Sequence, residues 1–353
     1  MADSYAEPKS RAETVVAIQY LRAIAAGLIV FQHAMGIPAF IYYTAHFGTV
    51  GVDLFFMISG FIMWTTTQGQ NRGPGAFWLA RAIRIVPLYW LFTTAYVVAA
   101  LVTPESFFKL KLDSWHILMS YLFIPATHPN LGLAAPVFTL GWTLNYEAFF
   151  YLFFGLCLLI ADLRVRFIVI AALFGIQTIL GMWLQPTGPI LSSYLDPVML
   201  EFLSGIVLAI LAPYLARCGA VLGAILFAAG VVWIGVVYAY DMALPRLVSH
   251  AIPSIMAVTG ALMLEPWARA YPSRIGLLLG DASYSIYLIH PFAQRVFLLV
   301  VIHTIGLSSI TATTYIFTAF FIAIFAGVVC YLVLERRVLR VGRWLMRLVQ
   351  PTR

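Results

Sequence analysis

Apolar segments long enough to cross a membrane recur along the whole chain, and they constrain its fold more than any other feature. A helix needs about 17–25 predominantly apolar residues to cross a hydrocarbon core of about 30 Å. Ten segments reach roughly this length, and they are 15–35, 48–66, 86–102, 143–161, 165–184, 197–216, 219–239, 247–265, 283–303 and 310–334. The sequence therefore predicts an all-α integral membrane protein, a bundle of about ten transmembrane helices.

Basic residues give the orientation of this bundle. Cytoplasmic loops of membrane proteins retain Lys and Arg, whereas short external loops carry few. Of the 21 lysines and arginines, only Lys109, Lys111 and Arg246 fall in loops that the ten-helix topology places outside. The sequence thus predicts that both termini are cytoplasmic. A further apolar stretch, 114–126, is too short to span and is expected to be interfacial or re-entrant.

The composition agrees with a single membrane domain over residues 1–353, with a core at 15–334 and a basic cytoplasmic tail at 335–353. Hydrophobic residues make up 62% of the chain and charged residues 10%, against about 45–50% and 25% in soluble domains. The net charge of +7 is explained by loops that face anionic lipid, so the expected partner is the bilayer and not nucleic acid. The cysteines lack paired spacing, and no metal site is expected.

Ionisable residues inside apolar segments are costly in a bilayer, at about 2.5–3.5 kcal/mol each near a helix centre, and they tend to mark functional sites. Arg22 and His33 both lie in the first segment, eleven positions apart. At 100° per residue they share a helix face, about 16.5 Å apart along the axis, with Arg22 towards the cytoplasm. The alternative is that Arg22 extends to the interface and His33 hydrogen-bonds a neighbouring helix.

Two carboxylates are expected at the depth of His33. Asp53 lies near the outer end of the second segment, and Glu147 lies near the outer end of the fourth. A carboxylate beside a histidine fixes the imidazole tautomer and stabilises its protonated form. The sequence does not choose between the two, and Glu147 has an alternative role as a charge that favours the helix dipole.

Further candidates lie at a cytoplasmic helix end and within the membrane. Arg81 and Arg84 stand at i and i+3 on one helix face, an arrangement that suits phosphate but also follows from the positive-inside rule. His290 is expected at mid-membrane, where a histidine is more often an interhelical hydrogen-bonding partner than a catalyst. Glu201 and Arg295 are expected to form a structural pair within the membrane.

Five of these elements, in order, resemble the membrane-bound acyltransferase family 3. They are Arg22 with His33, the run Gly51-Val52-Asp53-Leu54-Phe55-Phe56 with Ser59-Gly60-Phe61, Arg81 and Arg84 before Pro87, Trp142 with Glu147, and Ser283-Tyr284-Ser285-Ile286-Tyr287-Leu288-Ile289-His290. The resemblance implies transfer of an acyl group, usually acetyl from acetyl-CoA, to a hydroxyl of an exported acceptor. Within the family, the compact form of this chain is most similar to rhizobial exopolysaccharide acetyltransferases.

On this resemblance, the CoA diphosphate is expected to bind Arg22, Arg81 and Arg84, because guanidinium groups match phosphate oxygens bidentately. The pantetheine arm would then run outward along the face that Arg22 shares with His33. The expected partners are acyl-CoA, a carbohydrate or glycolipid acceptor and polysaccharide assembly machinery, at the cell inner (plasma) membrane. No metal cofactor is expected.

His33 is the expected general base that deprotonates the acceptor hydroxyl, because histidine titrates nearest neutrality. Asp53 or Glu147 is expected to orient it. The acceptor or the pantetheine arm is expected to contact Trp142, Tyr284, Tyr287 and His290, although aromatic residues near helix ends are also common as interfacial belts.

The competing prediction is a transporter or flippase of lipid-linked sugars, since intramembrane Arg, Glu and His also mark substrate pathways in carriers. Carriers of this kind often consist of two repeated halves. The sequence shows no such repeat, and its intramembrane charges are not at matched positions of two halves. An acyltransferase is therefore favoured.

Overall fold

The structure is a computed structural model that describes residues 15–36, 48–69, 73–103, 111–240, 242 and 244–349, with side chains to residue 346. The described chain is helical and contains no strand, only an isolated bridge between Thr127 and Ala134. Its α-helices are α1 (Val16–Met35), α2 (Thr49–Thr67), α3 (Pro74–Val102), α4 (Ser114–Tyr121), α5 (Trp142–Cys157), α6 (Leu163–Leu184), α7 (Pro189–Tyr194), α8 (Met199–Leu215), α9 (Ala220–Ala239), α10 (Ile252–Met263), α11 (Glu265–Ala270), α12 (Arg274–Thr304), α13 (Ala312–Cys330) and α14 (Arg336–Val349).

Eight helices of the described chain are long and apolar enough to cross a membrane. They are α1, α2, α3, α6, α9, α12, the combined segment Pro189–Leu215 that ends in α8, and the combined segment Ala312–Met346 that begins with α13. The two other predicted spans are also helical but shorter, as α5 and as the apolar helix Leu247–Met263. The all-helical, multi-pass architecture is therefore confirmed, whereas the count of ten and the cytoplasmic termini stay predictions. Lys109 and both chain ends lie outside the described residues.

The apolar stretch 114–126, which was predicted to be too short to span, contains only the eight-residue helix α4. At 1.5 Å per residue this helix is about 12 Å long, too short to cross the hydrocarbon core. The Asp113 side chain caps it by accepting a hydrogen bond from the backbone N–H of His116 at 2.9 Å. Tyr89 of α3 donates its hydroxyl hydrogen bond to the carbonyl of Ser120, which holds α4 against the bundle.

Helix α1 lies in the interior of the bundle, between α2 and α12. It runs parallel to α12, because Arg22 hydrogen-bonds Ser283 and, farther along both helices, the Val30 carbonyl accepts a hydrogen bond from Gln294. Gly280 permits the close approach, since a Cβ there would collide with the α1 backbone at Gln19. The pairing of α1 with α12 brings residues of both helices into one site.

Helix α2 presents different residues to its two neighbours. Gly51 faces α1, where a Cβ would meet the carbonyl of Ala25, whereas Gly60 faces α8 against the backbone of Phe202. Asp53 is two positions from Gly51, which is about 200° around the helix. Asp53 therefore points to the α8 side, away from α1.

The described part of the predicted basic tail is not a separate extension, because the helix continues through residues 336–349. A π-helical turn, Tyr331–Glu335, joins α13 to the basic helix α14. Gly342 of α14 packs against Ile83 of α3, which lies between Arg81 and Arg84 in sequence. Helix α14 thus contributes to the surroundings of the arginine pair.

Candidate functional site

A cavity of about 330 Å³ lies between α1, α2, α3, α5, α12 and the Tyr331–Glu335 turn. Its volume is within the range of small-molecule binding sites. Three arginines line it, Arg22, Arg81 and Arg84, together with the carboxylates Glu147 and Asp281. Hydroxyl groups also line it, and they belong to Ser59, Thr143, Tyr151, Ser283, Tyr284, Tyr287 and Tyr331. The structure therefore brings the three predicted phosphate-binding arginines together in one cavity, which we call the arginine cavity.

Arg84 is already neutralised by a carboxylate. Its guanidinium lies 2.7 Å from Oε1 of Glu335, which is 1% exposed. The other Glu335 oxygen accepts a hydrogen bond from the Ser285 hydroxyl at 2.6 Å. Glu335 was not predicted as a site residue because six arginines of the basic tail follow it, although it is the only carboxylate side chain in residues 311–353.

In the part of the chain that the structure describes, Arg22 and Arg81 have no such counter-ion. Arg22 donates hydrogen bonds to the Gln19 side chain at 3.1 Å and to Ser283 at 3.0 Å, both of which are neutral acceptors. Within the described residues Arg81 makes no hydrogen bond or salt bridge, and its guanidinium carbon lies 5.9 Å from the centre of the Phe77 ring. Two guanidinium groups without a carboxylate partner favour an anionic ligand, because a desolvated charge is stable only when it is paired.

Glu147 lies beside these arginines and not beside His33. It accepts hydrogen bonds from the hydroxyls of Tyr151 and Ser59, the latter at 3.1 Å. Tyr151 is one helical turn farther along α5, so the local helix geometry holds the carboxylate in the arginine cavity. The prediction that Glu147 orients His33 is therefore wrong in its geometry.

Asp53 also has a different partner from the one expected. It is fully buried and contacts Arg246, whose guanidinium lies 3.0 Å from Glu201 as well. The physical reason is the position of Asp53 on the α8 side of α2, away from α1. Asp53 therefore does not orient His33. Glu201 contacts Arg246, and not Arg295 as expected, so this cluster of one arginine and two carboxylates ties α2, α8 and the Arg246 segment together.

His33 is oriented by its own helix. Its Nδ1 lies 2.8 Å from the carbonyl oxygen of Ile29. A carbonyl can only accept a hydrogen bond, so in neutral His33 the Nδ1 atom carries the proton and Nε2 has the free lone pair. His33 is exposed. A backbone carbonyl thus supplies the tautomer selection that the sequence analysis assigned to a carboxylate.

His290 lies directly beside His33. The ring centres are 4.9 Å apart with the planes at 63°. His290 is fully buried, and among the described residues its ring nitrogens have only backbone carbonyls of their own helix, those of Ile286 and Tyr287, as nearby acceptors. The Tyr287 ring, one turn earlier on α12, lies 6.2 Å from the His290 ring and lines the arginine cavity. Tyr287 and His290 therefore connect the arginine cavity with His33 through contacts between adjacent rings.

The remaining predicted aromatic residues divide into two groups. Tyr284 and Tyr287 line the cavity, where they donate hydroxyl hydrogen bonds to the carbonyls of Ile85 at 2.8 Å and of Leu140 at 2.7 Å. Trp142 is not among the lining residues and packs against Tyr146 with ring centres 5.8 Å apart. The hydroxyl-bearing residues Ser59 and Tyr151 were not singled out from the sequence, because their importance depends on the position of Glu147.

The chain is similar to known proteins over most of its length. The model of a protein family described as "Acyltransferase domain" matches residues 15–334. A relative from Rhizobium meliloti (strain 1021), described as "Exopolysaccharide production protein ExoZ", is 35% identical over 302 residues, which cover 84% of this chain and 91% of the relative. No solved structure matches the chain. The residues that carry the resemblance in the sequence lie within the matched region, and the chain belongs to the membrane-bound acyltransferase family 3.

Proposed function

We propose that this chain transfers an acetyl group from acetyl-CoA to a hydroxyl of an exported carbohydrate such as an exopolysaccharide, as a multi-pass protein of the cell inner membrane. Membership of the acyltransferase family supports acyl transfer, and the name of the Rhizobium meliloti relative supports an exopolysaccharide acceptor. The observation that carries the proposal is the arginine cavity, which contains two guanidinium groups without a carboxylate partner among the described residues and adjoins His33 through Tyr287 and His290.

The proposed donor fits the charges of the arginine cavity. The CoA diphosphate binds Arg22 and Arg81, which have no carboxylate partner in the described structure. Arg84 is also within the cavity, and a phosphate near it competes with Glu335 for its guanidinium. The long, thin pantetheine arm extends from these residues past Tyr287 towards His33, and the acyl thioester is then near the outer part of α1.

In the proposed chemistry, His33 acts as a general base through Nε2. The imidazole removes the proton from the acceptor hydroxyl as the oxygen attacks the thioester carbonyl carbon. The carbon–oxygen bond forms, the carbon–sulfur bond breaks, and the thiolate takes the proton back from His33. The Ile29 carbonyl holds the Nδ1–H and so stabilises the imidazolium that forms in between.

The buried His290 is a neighbour of the base in this mechanism. Its ring nitrogens make no hydrogen bond to another side chain among the described residues, and a nitrogen that is not engaged by the backbone carbonyls of Ile286 or Tyr287 can contact the acceptor or the thioester carbonyl. Tyr284, Tyr287 and Trp142 keep their proposed roles along the path of the arm or the acceptor. Glu147 belongs to the donor end of the site in this proposal.

The proposal is tested by measuring acetyl ester in the surface polysaccharide of the host with the wild-type protein and with His33→Ala, at equal membrane abundance. His303→Ala is the matched control, because the Nδ1 of His303 contacts the carbonyl of Leu299 at 2.7 Å in the same local geometry outside the site. Loss of acetyl ester is expected with His33→Ala and not with His303→Ala. Unchanged acetylation with His33→Ala would contradict the proposed base.

A further inference from the structure

A second cavity, of about 740 Å³, lies at the end of the bundle where α1 and α12 begin. Arg274 at the start of α12 and Arg336 at the start of α14 line it, together with Pro272. We call it the terminal cavity. It lies at the end that the positive-inside rule assigns to the cytoplasm, so it is on the side from which a soluble CoA ester would enter.

The two cavities share part of their walls. Asp281 and Tyr331 line both the arginine cavity and the terminal cavity. Along α12, Arg274 lines only the terminal cavity, Asp281 lines both, and Tyr287 lines only the arginine cavity. At 1.5 Å per residue, Arg274 and Tyr287 are about 20 Å apart along the helix axis. One elongated ligand can therefore extend from the first cavity into the second.

The charges of the terminal cavity suit a phosphate. Arg274 and Arg336 are exposed, and neither forms a salt bridge with a carboxylate of the described chain. Two other arginines nearby are less suited to bind a phosphate in this cavity. Arg269 pairs with Glu265 at 3.0 Å, and Arg337 does not line the cavity. The two arginines are contributed by separate helices that meet at this cavity, so they can hold one phosphate between them.

The geometry points to a binding site for the nucleotide end of the donor, and this inference rests on the proposed use of acyl-CoA. We propose that the terminal cavity binds the adenosine part of CoA and that Arg274 and Arg336 bind its 3′-phosphate. Asp281, at the boundary of the two cavities, accepts hydrogen bonds from N–H or O–H groups of the ligand. The 3′-phosphate is remote from the thioester, so this site selects the donor without touching the reacting atoms.

The test compares the binding of CoA and of 3′-dephospho-CoA to the purified full chain in nanodiscs of zwitterionic lipid, by isothermal titration calorimetry. The two ligands differ only in the phosphate that the proposal assigns to Arg274 and Arg336. The wild type is expected to bind CoA about tenfold more tightly, the factor typical of one charge-assisted contact. Arg274→Ala and Arg336→Ala are expected to lose this preference, and Arg274→Lys is expected to recover part of it.

Arg337→Ala is the matched control, because Arg337 adjoins Arg336 in sequence but lies outside the terminal cavity. It is expected to keep the wild-type preference. If the Arg274 and Arg336 variants keep the preference, or weaken both ligands equally, the terminal cavity does not bind the 3′-phosphate, while the donor proposal stands. If the wild type binds neither ligand, the use of acyl-CoA is itself wrong, and this site is wrong with it.

Discussion

The cluster of Arg246, Asp53 and Glu201 predicts a large loss of stability when its cation is removed. Arg246→Ala leaves two carboxylates that are 0% and 4% exposed without their shared partner. Removal of one member of a buried ion pair typically costs about 3–5 kcal/mol. The Arg246 side chain is 39% exposed, and solvent screening therefore reduces the expected cost to about 2–4 kcal/mol. For a chain of this size, that corresponds to a fall in Tm of roughly 3–5 °C.

The Tm of the purified variant is measured in detergent, with Arg269→Ala as the control. Arg269 also pairs with a carboxylate, but its side chain is 55% exposed, and the expected loss is below about 1 kcal/mol. Neutralising the carboxylates with Asp53→Asn and Glu201→Gln in the Arg246→Ala background is expected to restore part of the lost stability, because the unpaired charges are then gone. If Arg246→Ala keeps its Tm within about 1 °C of the wild type but abolishes acetylation, the cluster has a catalytic role and the structural reasoning is refuted.

Three further predictions follow from contacts in and around the site. Glu335→Gln is expected to bind CoA several-fold more tightly, because Arg84 loses its competing carboxylate; weaker binding by calorimetry would show that Glu335 positions Arg84 for the phosphate. Gly280→Ala is expected to destabilise the protein by about 1–3 kcal/mol, because the new methyl group collides with the backbone of Gln19, and an unchanged Tm would contradict the close packing of α1 on α12. Backbone N–H groups at the start of α6 hold the pKa of the Asp162 carboxyl below its usual range. This stabilisation is present above the unfolded pKa of Asp162 and disappears as the pH falls through its folded pKa. The Tm difference between wild type and Asp162→Ala is therefore expected to vanish in acid. A Tm difference that persists in acid would exclude stabilisation by the charged cap.

The helices could be predicted from the sequence because their signals are local. Each of the ten apolar segments is helical in the structure, and the short stretch after Asp113 forms only α4. Span length, apolar content and a capping side chain are properties of neighbouring residues. The resemblance to the acyltransferase family could also be recognised from the sequence, because its motifs occur in order along the chain.

The partners of the ionisable residues could not be predicted in the same way. The place of Asp53 along α2 follows from the sequence, but its level relative to α1 and its direction depend on which helix packs on which face. Glu335 and Arg84 are neighbours only because the chain end returns to α3. His33 is oriented by the carbonyl of Ile29, and backbone groups leave no trace in the residue types of a sequence. Position along a helix is therefore a property of one segment, whereas contact is a property of the whole bundle.

The position of Arg22 and His33 on one uninterrupted helix has a consequence for the choice of donor. A hydrogen-bonded helix does not stretch, so it fixes the separation of these two residues at about 16.5 Å along the axis. On the proposed mechanism, this fixed separation corresponds to the length of the arm between phosphate and thioester, which is the same in every CoA ester. A longer acyl chain extends beyond His33 without moving the thioester. Selection among acyl groups must then occur in the space beyond the base. Insertion of a single residue into α1 between Arg22 and His33 would turn His33 by about 100° relative to Arg22, so that the two side chains no longer share a helix face.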